Sequence, residues 1–219
     1  MGNLFNVDNG FFTFMGKVCD MVYLSILWLI CCIPLITIGP ATTAMYYTIV
    51  KTIRRDRGYV TKEFFHSFKV NFKLGTISTV IFLVLSYVLY VDFNFANAKR
   101  LEGETSGELL FAGFIAITTI AVFVFLFAYP ILSRFTLNLR GLFKTSFVIS
   151  LKHFPSTFLI ALTVAAFGIG IYLIPLLIFI APSLSCFISS FLIERIFKKY
   201  MPKPEGTPEE TGRDQWYWE

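Results

Sequence analysis

Hydrophobic positions along this chain fall in long unbroken blocks, not in the alternation of a half-buried strand. Apolar runs occupy 18–38, 74–91, 109–132 and 157–193, and a shorter one fills 41–53. At ~1.5 Å per residue, the first of these is long enough to cross a ~30 Å hydrocarbon core as a helix. The run 157–193 would measure ~55 Å as one helix, too long for a single crossing. Pro175 and Pro182 supply places to turn, so that run reads as two spans.

The sharpest break lies at Thr37-Ile38-Gly39-Pro40-Ala41-Thr42. Gly39 can take the left-handed conformation that ends a helix, and Pro40 suits the first turn of the next. The helix that follows, 41–57, is apolar only as far as Ile53, a reach of roughly 20 Å. It can cross only if Lys51, Arg54 and Arg55 snorkel at its end. Residues 61–73 predict an amphipathic helix, with Phe64, Phe65, Phe68 and Phe72 in one quadrant and Lys62, His66, Lys69 and Lys73 opposite. That pattern suits a helix lying in the headgroup layer of an anionic leaflet. The span 74–91 is expected to close at Asp92, and 109–132 to be broken near its end by Pro130. Residues 1–17 read as an interfacial lead-in, 18–199 as one transmembrane helical domain, and the Pro-, Gly- and Glu-rich 200–219 as a disordered cytoplasmic tail.

Composition agrees with the pattern. The chain has 219 residues, 56% of them hydrophobic and only 15% charged, against an apolar share of about 45–50% in soluble domains. A net charge of +5 raises the question of nucleic acid. The bases, however, sit beside apolar runs and not in an aromatic-studded patch, so membrane topology accounts for them and no nucleic acid partner is expected. Placing 51–73, 133–156 and the C-terminal end in the cytoplasm leaves only Lys99 and Arg100 outside, counting Lys17 as inside. Six spans put the N-terminus inside. Five put it outside, with 41–57 lying on the membrane surface. The fold class is therefore all-α, a polytopic bundle of six spans with five as the alternative, carrying an amphipathic cytoplasmic elbow. The first span is longer than a signal-peptide core and lacks an A-x-A site, so it is expected to be retained.

A weak internal repeat is also visible. His66-Ser67-Phe68-Lys69-Val70-Asn71-Phe72-Lys73 aligns with Thr145-Ser146-Phe147-Val148-Ile149-Ser150-Leu151-Lys152, with Ser, Phe and Lys identical. Both copies lead from a basic segment into a span, the arrangement of a parallel repeat.

Leu27-Trp28, the run Pro34…Thr37-x-Gly39-Pro40-Ala41-Thr42-x-Ala44 and Tyr46 resemble the hallmark of the YesL-like family of small bacterial integral membrane proteins. Phe64…Phe68-Lys69-x-Asn71-Phe72-Lys73 is similar to a second stretch of that family, and Pro130 with Arg134-Phe135 to a later one. The likeness covers most of 18–197. It implies a multi-pass helical protein, often encoded near carbohydrate-uptake and polysaccharide-utilisation genes. It implies no established activity and transfers no catalytic or binding residue.

Recognisable chemistry is sparse. The sequence contains no phosphate-binding loop, no G-x-S-x-G and no H-E-x-x-H. Cys19, Cys31, Cys32 and Cys186 lie in apolar segments without metal-ligand spacing and read as small buried hydrophobes. No catalytic residue, metal or cofactor is expected. His66 and His153 fall at basic elbows, where solvation is the simpler reading than a proton relay.

Asp20, one turn into the first span, and Glu194, at the end of the last, are ionisable groups at membrane depth and so candidates for function. Pairing of either with Arg134 would lock helix ends together. The start of the helix at Gly39-Pro40-Ala41-Thr42 offers unpaired N–H groups to an anionic or hydroxyl-rich ligand. The alternative is a tight hairpin whose threonines cap the helix and whose alanines pack closely. Lys62, Lys69, Asn71 and Lys73 form a candidate surface for the membrane or a docking partner. The expected function is a non-enzymatic accessory or regulatory component of carbohydrate uptake, its partner a sugar permease. The alternative is an autonomous small-solute transporter or channel, lined by the Gly39 helix start, Asp20 and Glu194.

Overall fold

The computed structural model describes residues 10–101 and 105–201, and within them the secondary structure is helical, with no strand. Four helices are long and apolar enough to cross a membrane: Phe12–Cys31, Phe72–Leu101, Gly107–Arg134 and Phe154–Leu173. They belong to α1 (Gly10–Cys31), α4 (Phe72–Leu101), α5 (Thr105–Arg134) and α7 (Phe154–Leu173). Between them lie α2 (Ile38–Thr48), α3 (Val60–Val70) and α6 (Leu139–Lys152), and α8 (Ala181–Phe197) closes the bundle.

The short helix α2 is the axis. It touches α1, α3, α4, α5 and α8, and Gly39, Pro40, Ala41, Thr43, Ala44, Met45, Tyr46 and Thr48 are all buried. The long apolar helices do the opposite and present much of their surface outward, as helices facing lipid do (Val84, Leu109, Leu173 and many others are exposed). Small side chains explain the centrality of α2. Gly39 on α2 and Gly75 on α4 meet so closely that a Cβ on Gly75 would stand 2.8 Å from the Pro40 nitrogen. Gly39 is therefore needed for approach and not for its φ, since it is an ordinary helical residue. The first helix ends earlier than expected, at Cys31, because Pro34 disfavours helix at the residue before it. A 3-10 turn, Leu35–Thr37, then leads into α2.

Three further expectations need correction. Pro130 does not break its helix: α5 continues to Arg134, as buried prolines in apolar helices often permit. Asp92 does not close α4, which runs on to Leu101. Both α4 and α5 contain 30 residues, or ~45 Å, so their hairpin outreaches a ~30 Å core by about 15 Å. Phe93 stacks on Phe111 at 4.9 Å and Arg100 on Phe111 at 4.6 Å, which braces that extension. Third, the apolar face of α3 is not turned wholly to lipid. Phe64 is fully buried against Met45, Ile49 and Ile53, whereas Phe65 and Phe72 stay exposed.

Of the expected lead-in, 10–17 belongs to α1, and residues 1–9 lie outside the described residues. Tyr200 and Met201 of the expected tail pack on the core, and residues 202–219 lie outside the described residues. The turn at Pro175 and Pro182 appears as expected, a 3-10 segment Pro175–Phe179 between α7 and α8.

The repeat has a structural counterpart. Each time a helix ends in an arginine pair or a single arginine, a short basic helix follows, one residue breaks it, and an apolar helix begins. Asn71 makes the break before α4, and His153 the break before α7. At the same offset that aligns the sequences, Val60 of α3 matches Leu139 of α6, and Arg55 matches Arg134.

Candidate functional site

The last residues of α2, α5 and α8 converge on one carboxylate. Glu194 is buried on α8, and its Oε1 accepts hydrogen bonds from Arg134 Nε (3.0 Å), Arg134 Nη2 (2.9 Å) and the Tyr46 hydroxyl (2.8 Å). Its Oε2 lies 3.8 Å from Arg55 Nη2 and accepts no hydrogen bond among the described residues. Of the two arginines at matching places in the repeat, Arg134 thus holds one oxygen and Arg55 faces the other. The Arg134 side chain is only 2% exposed. A charge so placed tolerates burial only because its partner is fixed and hydrogen-bonded. Around the cluster Tyr46 meets Phe197, and Phe197 meets Phe135, edge to face at 6.5 and 5.5 Å.

Ends of α2 are secured differently from the reading in sequence. Thr37 and Thr42 do not cap the helix. Thr37 Oγ1 donates to the carbonyls of Cys31 and Pro34, and Thr42 Oγ1 accepts from Trp28 Nε1 at 3.2 Å. The Gly39 N–H instead donates to Thr79 Oγ1 of α4 at 3.0 Å, and Thr79 reaches Tyr129 of α5 at 3.2 Å. The helix start is thus tied to two neighbours, and its first amide already has an acceptor. At the other end the helix widens into a π-helical turn, Ile49–Ile53. Such turns re-aim side chains, and this one precedes Arg54 and Arg55.

A second ion pair joins α3 to the same turn. Lys51 Nζ stands 2.9 Å from Glu63 Oε2, with side chains 14% and 11% exposed. Gly58, at φ 83°, makes the connecting turn with a conformation that favours glycine, and a Cβ there would meet Glu63 Oε1 at 2.7 Å. Glu63→Gln is expected to cost about 1–3 kcal/mol, because it leaves the lysine without its carboxylate. Denaturant unfolding of the detergent-solubilised protein would measure this, and an unchanged midpoint would remove the pair from the account.

Of the residues singled out in sequence, Arg134 and Glu194 meet, and Gly39, Pro40 and Ala41 form the packed start of α2. Asp20 stands apart on α1, half-buried. Lys62, Lys69 and Lys73 are exposed on and beside α3, whereas Asn71 is turned inward on its own helix, donating from Nδ2 to the Ser67 carbonyl at 3.0 Å. Tyr46, Arg55, Lys51 and Glu63 were not marked as a site. Only the repeat offset, which sets Arg55 against Arg134, could have pointed to one of them.

Two clefts flank the cluster at this basic end. One of ≈ 370 Å³ is lined by Arg134 with Tyr47, His66, Asn71 and Thr136, and the other, ≈ 380 Å³, by Glu194 with Arg54, Arg55, Arg195 and Lys198. His153 lies at the same end, 3.1 Å from the Tyr200 hydroxyl. Partial desolvation, helped by Lys199 and Lys152, holds its pKa below the usual imidazole value.

Comparison with known proteins bears on this region directly. A family model described as "Protein of unknown function, DUF624" matches residues 21–93, from α1 into α4, and so includes Tyr46, Arg55 and Gly75 but not Arg134 or Glu194. The chain is 26% identical over 206 residues to "Uncharacterized protein YesL" of Bacillus subtilis (strain 168), covering 91% of this chain and 95% of the relative. No solved structure matches. The resemblance first read from the Gly39-Pro40-Ala41-Thr42 region thus extends, as similarity to YesL, across nearly the whole length.

Proposed function

We propose that this chain is a non-enzymatic accessory component of carbohydrate uptake, held in the cell membrane and acting by contact with a sugar permease. The observation that carries the reading is the fixed hold of Arg134 and Tyr46 on the buried Glu194 carboxylate. A carboxylate that already accepts from Arg134 and Tyr46, and faces Arg55, is built to stay in place. An ion-coupling group must instead exchange its partners. Both clefts beside the cluster lie at the same basic end, which suits a docking surface better than a path across the bilayer.

Six crossings fit this reading, with α2 plus its π turn and α8 as the two short ones. Lys17, early in α1, pairs with Asp56, just after that turn, at 2.9 Å. The pair draws the N-terminal end of α1 to the basic side, where the positive-inside rule puts the cytoplasm. The C-terminal end of α8 falls on that side too. Lys62, Lys69 and Lys73 then face an anionic leaflet or the partner.

The transporter reading makes the opposite prediction for the buried acids. If the protein moved a solute alone, Asp20→Asn or Glu194→Gln would abolish uptake into proteoliposomes that still contain folded protein. The accessory reading expects uptake no greater than in protein-free liposomes, for the wild type and for both variants. Uptake by the wild type that either variant abolishes would sink it.

A further inference from the structure

We infer that the apolar cleft between α4, α5 and the first turn of α6 is a binding site for one anionic phospholipid, its acyl chain in the cleft and its phosphate on Arg140 and Lys144. The cleft measures ≈ 470 Å³, within the ~300–1,000 Å³ of ordinary ligand pockets. Phe82 of α4 lines it and is held between Phe125 of α5 at 5.1 Å and Phe143 of α6 at 5.4 Å. Of the wall residues, Ile81, Ile117 and Ile120 are each more than a third exposed, so the cleft opens toward lipid. Val124, also in the wall, stands ten residues before Arg134, the last residue of α5. The cleft therefore reaches ~15 Å in from that end, the depth of one leaflet of a ~30 Å core.

Charge says which lipid the cleft takes. Arg140 is the one charged residue among the described residues that line it. Neither Arg140 nor Lys144, one turn further along α6, makes a hydrogen bond or ion pair among the described residues, and both are exposed. The neighbouring sequence offers them no acid: 74–91 of α4 and 109–132 of α5 hold no charged residue, and 133–156 hold bases only. A guanidinium beside hydrocarbon without a counter-charge is costly. In a bilayer the group that meets it is the phosphate of a lipid whose chain fills the adjacent cleft. Arginine forks match phosphate oxygens two at a time, and Lys144 adds a second charge. A zwitterionic headgroup brings its own ammonium to these cations and so gains less than an anionic one. The site stands apart from the accessory role and does not depend on it.

The test is native mass spectrometry of the full-length protein in detergent, titrated with phosphatidylglycerol or with phosphatidylcholine of the same chains. The first phosphatidylglycerol is expected to bind about thirtyfold more tightly than the first phosphatidylcholine, the gain of two cations meeting an anionic head. Arg140→Gln with Lys144→Gln should erase that preference while phosphatidylcholine binds as it does to the wild type. Ile117→Trp fills the cleft, keeps both cations and should weaken the two lipids alike. Lys62→Ala with Lys69→Ala and Lys73→Ala on α3 should leave the preference intact. All six positions are exposed, so none of these variants opens the core. Equal affinity for the two lipids in the wild type, a preference that survives Arg140→Gln with Lys144→Gln, or its loss in the α3 variant would overturn the proposal. So would unchanged binding of both lipids to Ile117→Trp.

Discussion

Glu194→Gln is expected to lower the stability of the bundle by about 3–5 kcal/mol, the usual result of breaking a buried ion pair from one side. The amide would take from the Arg134 charge, with its side chain 2% exposed, the carboxylate it is bonded to. Arg134→Met should cost somewhat less, because Glu194 loses both bonds from Arg134 but still faces Arg55. The double variant Arg134→Met with Glu194→Leu is expected to recover much of the loss, because two apolar side chains of like size need no partner. Tyr46→Phe removes one charge-assisted donor to Oε1 and should cost about 1.5–3 kcal/mol. Unfolding curves in a single detergent, run on these variants together with Glu194→Leu alone, give the coupling energy of Arg134 with Glu194. Additive losses would mean that the residues touch without depending on each other.

Gly39→Ala and Gly75→Ala are expected to be strongly damaging single-methyl additions. At Gly39 the new Cβ would fall 2.5 Å from the Gly75 carbonyl and 2.6 Å from Tyr129 Cε1, with Thr79 Oγ1 closer still. At Gly75 it would meet the Pro40 nitrogen at 2.8 Å and Cδ at 2.9 Å. The Gly75 carbonyl is backbone and the Pro40 ring is bonded to it, so they yield only if α2 and α4 part. Overpacking of this kind costs at least about 1–3 kcal/mol. Separation of the helices would also break the Gly39 N–H bond to Thr79. Gly113 supplies the control: nothing lies within 4 Å of a Cβ there. Gly113→Ala should be neutral, or stabilising by up to about 1 kcal/mol through helix propensity. Equal effects at Gly75 and Gly113 would show that the α2–α4 approach is looser than described.

Sequence patterning read the helices well and their limits less well. The long apolar runs and the turn between Pro175 and Pro182 followed from hydropathy and chain length, whereas charge left Asp20 and Glu194 as alternative partners of Arg134, of which Glu194 is the one bonded to it. Limits failed where a residue type has two uses. Glycine at 39 serves close approach, not a left-handed turn. Pro130 sits in a helix whose neighbours support it. Asp92 marks where apolar sequence ends, yet a helix needs no apolar residues to continue past a membrane surface, so α4 runs on to Leu101.

The site was half legible for a related reason. Charge at membrane depth announces itself, so Glu194 and Arg134 were found. Tyr46 lies in a helix of apolar and hydroxyl residues, and its bond to Glu194 spans 148 positions. Arg55 was hidden among neighbouring bases, all of which could equally have snorkelled. The π turn that precedes it is a property of packing and has no signature in composition. Lys51 and Glu63 likewise looked like an ordinary basic end and an ordinary polar face. Only the close packing of α3 against α2 makes them a pair.

The central claim is that this protein works through a partner, and isolation of the tagged protein from native membranes in mild detergent tests it most directly. Mass spectrometry would be run on what accompanies the wild type and a variant with Lys62, Lys69 and Lys73 replaced by alanine. The account predicts a sugar permease in near-stoichiometric amount with the wild type, and its loss from the variant while the fold persists. Recovery of the wild type alone, as a single monodisperse species, would contradict it.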